Sequence, residues 1–391
     1  MHIQTLAVHA GKQQNSIGVV TPIEPTSAFH YFEEPEQLYP RYFNTPNQKI
    51  VAQQVADLEG AEAGMVFSSG MAAISTTLLS FLSAGDHVVL QKALYGGTHA
   101  FVSKAFAGSG IEYTLADNDA ESILTATQPN TKVIYVETPA NPLLEVIDLR
   151  RLGSFSKPQG ILTIVDSTFA SPICQNPIEL GIDLVVHSGT KYLGGHSDLS
   201  FGAVAGSQEQ MERIWDKAIL FGGSVNALTC YLIERSLKTL GLRVRQQSEN
   251  ALEIARYLSS KADITQVNYP GLASHPNHEL AVEQMSGFGG MLSFCPPSHV
   301  SPQAFLKALK LIAPAMSLGG VESTVTIPAL TSHKPMPARQ RQEIGIEDHL
   351  VRLSVGIESA EDLILDLEQA FDRSDKTSTT PQSHFRVYAE N

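Results

Sequence analysis

The chain has a single tryptophan and only three cysteines, Cys174, Cys230 and Cys295, among its 391 residues. The cysteines form no C-x-x-C pair and no metal-ligand spacing, which excludes a disulfide framework and a structural zinc site as the basis of the fold. Buried free thiols in a reducing compartment are the expectation. Charge is sparse too, at 17% of residues, and its balance is acidic: 40 Asp and Glu against 27 Lys and Arg, a formal net charge of −13. That sign argues against nucleic acid or an anionic membrane as partner. No apolar run approaches a membrane span, and the opening MHIQTLAVHAGKQQ has no basic segment followed by an apolar one. A cytoplasmic protein is therefore expected. The nucleotide signatures are missing as well: there is no Walker Gly-Lys-Ser/Thr, and no G-x-G-x-x-G in a strand–helix context.

What is there is an ordinary globular composition, 43% hydrophobic, in a chain long enough for two domains. Residues 1–50 lack a sustained period and read as an extended arm. From QKIVAQQVADLEG onward helical patterns alternate with short apolar runs. GMVFSS, HVVLQ, KVIYVE, LTIVD, LVVHS and GAVAGS read as strands, with MAAISTTLLSFL and GGTHAFVSKAF as helices between them. Such alternation predicts an α/β large domain, residues 51–240, built on a mostly parallel sheet. One long helical stretch near residues 227–260 leads into a small α+β C-terminal domain, 241–373. Its strands are ITQVNYP, GMLSFC and VRLSVGI, and AEDLILDLEQAFDR closes it as an amphipathic helix. Residues 374–391 read as a flexible tail.

Ligands of α/β sheets sit at the C-terminal strand ends, and the polar outliers fall there. Asp166 ends LTIVD; Glu137 and Asn141 close KVIYVETPAN; Ser188, Thr190 and Lys191 close LVVHSGTK. Ser68-Ser69-Gly70 joins a strand to a helix, so free backbone N–H groups and a helix dipole meet there, a setting that suits phosphate. Alone, each feature is commonplace: strand-end lysines are usually solvated, and a Ser-Ser-Gly helix start is more often a simple cap. Together, an anion cradle, a lysine and a buried carboxylate fit a phosphorylated carbonyl cofactor, pyridoxal 5'-phosphate. His187 and His196 read as structural, and Arg243 and Arg245 as solvated or ion-paired.

The motifs YPR, SSGMAA, LYGGT, ETPANP, VDSTFASP, HSGTKYLGGHSD, YPGLASHP, SLGGVES and RLSVGIE run through nearly the whole chain. With them the sequence resembles the Cys/Met-metabolism family of pyridoxal-phosphate enzymes. The resemblance implies the aspartate-aminotransferase-like fold type I and a homodimer or homotetramer acting on a small amino acid. It implies that Lys191 carries the cofactor, that Gly70, Met71, Ser188 and Thr190 hold its phosphate, and that Asp166 meets its ring nitrogen. Tyr95 would stack on the ring and move protons, and Asn141 would bond the ring hydroxyl. Arg352, Ser317 and Asn141 would take the substrate carboxylate, with Glu322 near the substrate's far end. Tyr39 and Arg41 would reach into a neighbouring subunit's site. The Ser317-Leu318-Gly319-Gly320 element implies chemistry at the γ carbon of sulfur amino acids. Elimination is the first expectation, with γ-replacement by a synthase or sulfhydrylase as the alternative and a non-catalytic cofactor-binding protein as a remote one. Leu38 and Ala100 stand where cystathionine enzymes carry charge, and Gly97 where methionine γ-lyases carry cysteine.

Overall fold

The computed structural model describes residues 1–11, 18–32, 36–334 and 336–374. The expected flexible tail, apart from Ser374, lies outside the described residues. Seven strands form the larger sheet: β1 (Ala63–Phe67), β2 (His87–Gln91), β3 (Glu112–Ala116), β4 (Thr131–Glu137), β5 (Leu162–Asp166), β6 (Leu184–His187) and β7 (Gly202–Gly206). Their order is β1-β7-β6-β5-β4-β2-β3. Only β7 runs against the rest, antiparallel to both β1 and β6. The C-terminal ends of β1, β4, β5 and β6 therefore open on one edge of the sheet.

The apolar runs are continuous because both faces are covered. Val88, Leu90, Val133, Tyr135 and Ile164 enter one core, while Val89, Ile134, Val136 and Val165 enter the other. Alternate residues of each strand thus feed opposite layers, which leaves no solvent face to carry polar residues. Helix Gly70–Phe81 leaves the end of β1 with Ser69 as its cap, the hydroxyl accepting from the Ala72 N–H at 3.1 Å.

Several elements differ from the sequence reading, which has no strand over Glu112–Ala116. The N-terminal arm is not wholly extended: Ile3–His9 is a helix lying against helix Leu240–Ser260. The long helical stretch is two helices, Ala227–Leu237 and Leu240–Ser260, interrupted at Lys238-Thr239. GGTHAFVSKAF begins as helix Gly96–Phe101 but widens into a π turn over Val102–Phe106.

Helix Leu240–Ser260 ties the two halves together. Leu240 and Val244 pack with Tyr192 and Leu193, next to the strand-end lysine. Ala251, Ile254, Ala255 and Leu258 belong to the C-terminal core instead. That core rests on a second sheet: β8 (Gln266–Asn268), β9 (Met291–Cys295), β10 (Ala313–Pro314), β11 (Thr324–Thr326) and β12 (Val351–Ser354), in the order β10-β11-β12-β9-β8. Arg352 sits on β12, between Ser293 of β9 and Thr326 of β11. Among the described residues no helix is long and apolar enough to cross a membrane.

Candidate active site

Beyond β6 the chain folds back tightly, with Lys191 N donating to Ser188 O at 3.1 Å and Gly195 N to Lys191 O at 2.7 Å. Gly195 takes a positive φ of 67° there, and a Cβ at this position would run into the Arg243 guanidinium. Arg243 is not solvated, as the sequence suggested, but buried. It donates to Tyr192 O at 2.8 Å, Ser236 O at 3.0 Å and Thr239 Oγ1 at 3.0 Å, and so pins the lysine loop to the linking helix. His187 and His196 serve structure: His187 Nε2 meets the buried Glu59 carboxylate at 2.5 Å, and His196 Nδ1 bonds Gly194 O at 2.8 Å.

Lys191 opens onto a cavity of about 280 Å³. Its Nζ donates to Ser317 Oγ at 2.9 Å. Burial, and secondarily the Arg352 guanidinium, lower its pKa from 10.5 to about 8. Arg352 Nη1 donates to Asn141 Oδ1 at 2.8 Å, joining β12 of the small sheet to the loop beyond β4. Ser317 has φ 79°, a conformation a non-glycine residue adopts only when its surroundings hold it. They do hold it: Gly319 N donates to Ser354 Oγ at 2.8 Å, and Gln247 Nε2 to Gly320 O at 2.7 Å. Gly319 itself has φ 74°, and a Cβ there would come within 2.8 Å of Tyr192 N.

Two carboxyl groups share the cavity's floor. Asp166 accepts from the Thr168 hydroxyl and, at 3.0 Å, from its N–H, with Tyr135 OH donating at 3.3 Å. Burial raises its pKa, while the Thr168 bonds and the neighbouring His187 pull it back. A cationic ring nitrogen set against it would favour its charged form further. Glu137 is pushed well above the carboxylate range, first by burial and then by Asp166.

On the opposite side, a Cβ at Gly70 would lie 2.8 Å from Ser188 Cβ and 2.9 Å from Ser188 Oγ. Only glycine keeps this recess open, where the first N–H groups of a helix face a hydroxyl. Such a donor set matches a phosphate, so the site fits pyridoxal phosphate: a recess for the anion, a carboxylate for the ring nitrogen and an amine for the carbonyl. Thr190 also lines the cavity, although its hydroxyl is engaged with the backbone of Phe201.

The cavity wall brings together Lys191, Tyr95, Gly70, Met71, Asn141, Asp166, Ser188, Thr190, Ser317 and Arg352. It does not include Tyr39, Arg41 or Glu322. Glu322 is exposed and accepts from Ser197 Oγ at 3.4 Å. Arg41 donates to Ile219 O and lies over the Tyr42 ring. The sequence reading missed Ile74, Thr168, Phe169, Met316 and Ser332 on the wall. Ile74 lies one helical turn beyond Gly70, and Thr168 stands two residues after Asp166, spacings that could have flagged both. Ser332 arrives on a loop with no such signal.

Comparison with known proteins identifies the family. The chain is 43% identical over 378 residues to cystathionine gamma-lyase of Bacillus subtilis, covering 95% of this chain and all of that one. It is 41% identical to cystathionine beta-lyase of Lactococcus lactis, over 95% of this chain and 99% of the relative. Its fold matches the structure of cystathionine gamma synthase from Xanthomonas oryzae in complex with cystathionine, with a TM-score of 0.92 at 37% identity, covering 97% of this chain and 100% of that one. The family model for Cys/Met metabolism PLP-dependent enzymes matches residues 4–372, and the chain belongs to that family.

Proposed function

We propose that this chain is a pyridoxal-phosphate-dependent carbon–sulfur lyase that cleaves sulfur amino acids at the γ carbon, releasing a thiol, ammonia and an oxo acid. The observation that carries the reading is one cavity in which the Lys191 amine, the Arg352–Asn141 pair and the Asp166 carboxyl all converge, closed by the Ser317–Gly320 turn. When bound, pyridoxal phosphate supplies a carbonyl that condenses with amines and a ring that draws electrons from the substrate's α carbon. The protein's own groups do the rest. Gly70, Met71 and Ser188 would hold the phosphate, and Asp166 would keep the ring nitrogen protonated. Arg352 takes the substrate carboxylate as a two-pronged donor while Asn141 fixes its orientation. Lys191, with a pKa of about 8, is part neutral at physiological pH and can accept a proton from the α carbon and, once it has passed that proton on, a second one from the β carbon. Tyr95, half-exposed at the cavity's mouth, is placed to pass a proton to the departing sulfur.

The cavity wall includes the apolar side chains of Met316, Leu318 and Phe169. A small or apolar γ substituent binds there without leaving a charge unpaired, whereas cystathionine's distal ammonium and carboxylate must stay hydrated. Methionine, homocysteine or an acyl-homoserine is the favoured substrate on this ground. The likeness to a γ-synthase structure supports γ-replacement as the second reading. A panel assay tests both: methionine, homocysteine, cystathionine and O-acyl-homoserines with and without an added thiol, scoring ammonia, oxo acid and thioether. Oxo acid and ammonia without a thiol support elimination, and thioether formation supports replacement. Better turnover of cystathionine than of every smaller substrate overturns the apolar-end reading.

A further inference from the structure

We propose that Glu137 is a positioning residue for the reaction, its buried carboxyl group fixing the backbone of Tyr95 and thereby the place from which the phenol works. The inference rests on the role given to Tyr95 above. Glu137 ends β4 directly beside Asp166 of β5, as register partners in a parallel ladder, so the two side chains share a face of the sheet. Both of its oxygens receive the Tyr95 N–H, at 2.9 and 2.8 Å. Helix Gly96–Phe101, which Tyr95 precedes, has no side-chain cap of its own, so Glu137 supplies the acceptor from across the sheet.

Glu137 is itself held on both sides. Its N–H donates to Gln91 Oε1 at 2.9 Å, and its carbonyl accepts from Gln91 Nε2 at 2.9 Å. Gln91 ends β2 and is fully buried. Two neighbouring strand ends are thus locked together, and the carboxyl group projecting from them grips the Tyr95 backbone. The ring has a matching seat. A Cβ at Gly97 would fall 2.5 Å from Tyr95 Cε1 and 2.9 Å from Met71 Sδ. The aromatic ring occupies space that any side chain at 97 would claim. An amide anchored by Glu137 and a ring seated over Gly97 leave the phenol little choice of position, which is what a proton-transfer group needs.

A carboxyl group that merely stabilised the loop would act independently of the phenol, and a double-mutant cycle separates the two cases. Glu137→Ala, Glu137→Gln, Tyr95→Phe and the double variant Glu137→Ala/Tyr95→Phe are compared in the holoenzyme. Glu137→Ala should lower kcat at least about tenfold with KM little changed, a part of the roughly 10²–10⁴-fold that a well-placed general acid or base supplies. Glu137→Gln, which retains an acceptor for the amide, should recover most of that loss. Adding Glu137→Ala to Tyr95→Phe should cost less than about twofold more, since both changes remove one contribution. A second readout needs no turnover: hydrogen exchange at the Tyr95 amide should accelerate in Glu137→Ala, remain protected in Glu137→Gln, and leave other strand-end amides unchanged. Full multiplication of the two single losses, or an unaltered Tyr95 amide in Glu137→Ala, overturns the proposal. A Tyr95→Phe enzyme as fast as wild type would instead overturn the assignment of Tyr95 on which the proposal rests.

Discussion

Lys191 is asked to be a base, and its surroundings make it one. Removing the amine from water disfavours its charged form, and Arg352 adds a like charge. The fall from 10.5 to about 8 raises the neutral fraction at pH 7 about 300-fold over an ordinary lysine. In the cofactor-free protein, reaction of Lys191 with an amine-selective reagent should therefore rise through a midpoint near pH 8, read peptide by peptide by mass spectrometry. Arg352→Gln removes the like charge and should move that midpoint upward, though not to 10.5, because burial is the larger cause. A midpoint unmoved by Arg352→Gln, or an ordinary lysine profile in the wild type, contradicts the electrostatics. In the holoenzyme, borohydride should fix the cofactor to the same peptide. Asp166 was legible in the sequence because it ends an apolar strand, and Lys191 and Asn141 because each follows within four residues of such an end, where the ligands of α/β sheets sit. Glu137 was visible by the same logic, yet its task was not. The task depends on Tyr95, 42 residues away, and only the order of strands in the sheet brings the two together.

At the scale of elements, legibility followed burial. β2, β5 and β6 are covered on both faces and announce themselves as apolar runs. β3 was missed because it is the sheet's edge, half-exposed, and its sequence EYTLA carries no such run. The interruption at Lys238-Thr239 was missed for the opposite reason: helical periodicity continues across it, while the chain must turn so that Arg243 can enter the lysine loop. That entry sets a prediction. A hydrogen bond from a charged donor contributes about 1.5–3 kcal/mol, so losing the bonds of Arg243 should destabilise the fold by at least about 3 kcal/mol. Arg243→Ala should lower the urea midpoint accordingly and loosen cofactor binding, because the Tyr192 carbonyl is left unmet while Ser236 O keeps its Thr239 donors. Arg243→Lys keeps the charge but not the planar fork, and should recover only part of the loss. Gly195→Ala should fail in a similar way, since the new Cβ would displace the same guanidinium. Wild-type stability in Gly195→Ala would show that the loop and Arg243 are not locked together.

The whole molecule leaves one requirement of its own site unmet. A bound phosphate carries nearly two negative charges, but the cations on the cavity wall among the described residues are Lys191 and Arg352. Both are engaged away from the Gly70 recess, with Ser317 and with Asn141. Arg41, meanwhile, lies off the wall of its own chain's cavity, bonded to Ile219 O beside Leu220 and Phe221, which are 76% and 56% exposed. Large apolar side chains exposed next to one another mark a surface that another protein covers. A second copy covering this face would carry Tyr39 and Arg41 toward the neighbouring recess and supply the missing charge, and the prediction is that a dimer is the smallest active unit. In that arrangement Arg41→Ala and Lys191→Ala each abolish every site of their own homodimer, but spoil different subunits' contributions. Mixed and allowed to exchange, equal amounts of the two variants should regain about a quarter of wild-type activity. Half of the dimers are then hybrids with one intact site of two, as the two-fold symmetry of an isologous pair requires. Exchange is verified independently by mass-labelling one variant. Hybrids that form and stay inactive, or an Arg41→Ala homodimer that binds the cofactor as tightly as wild type, place the phosphate's countercharge elsewhere and make each subunit's site its own.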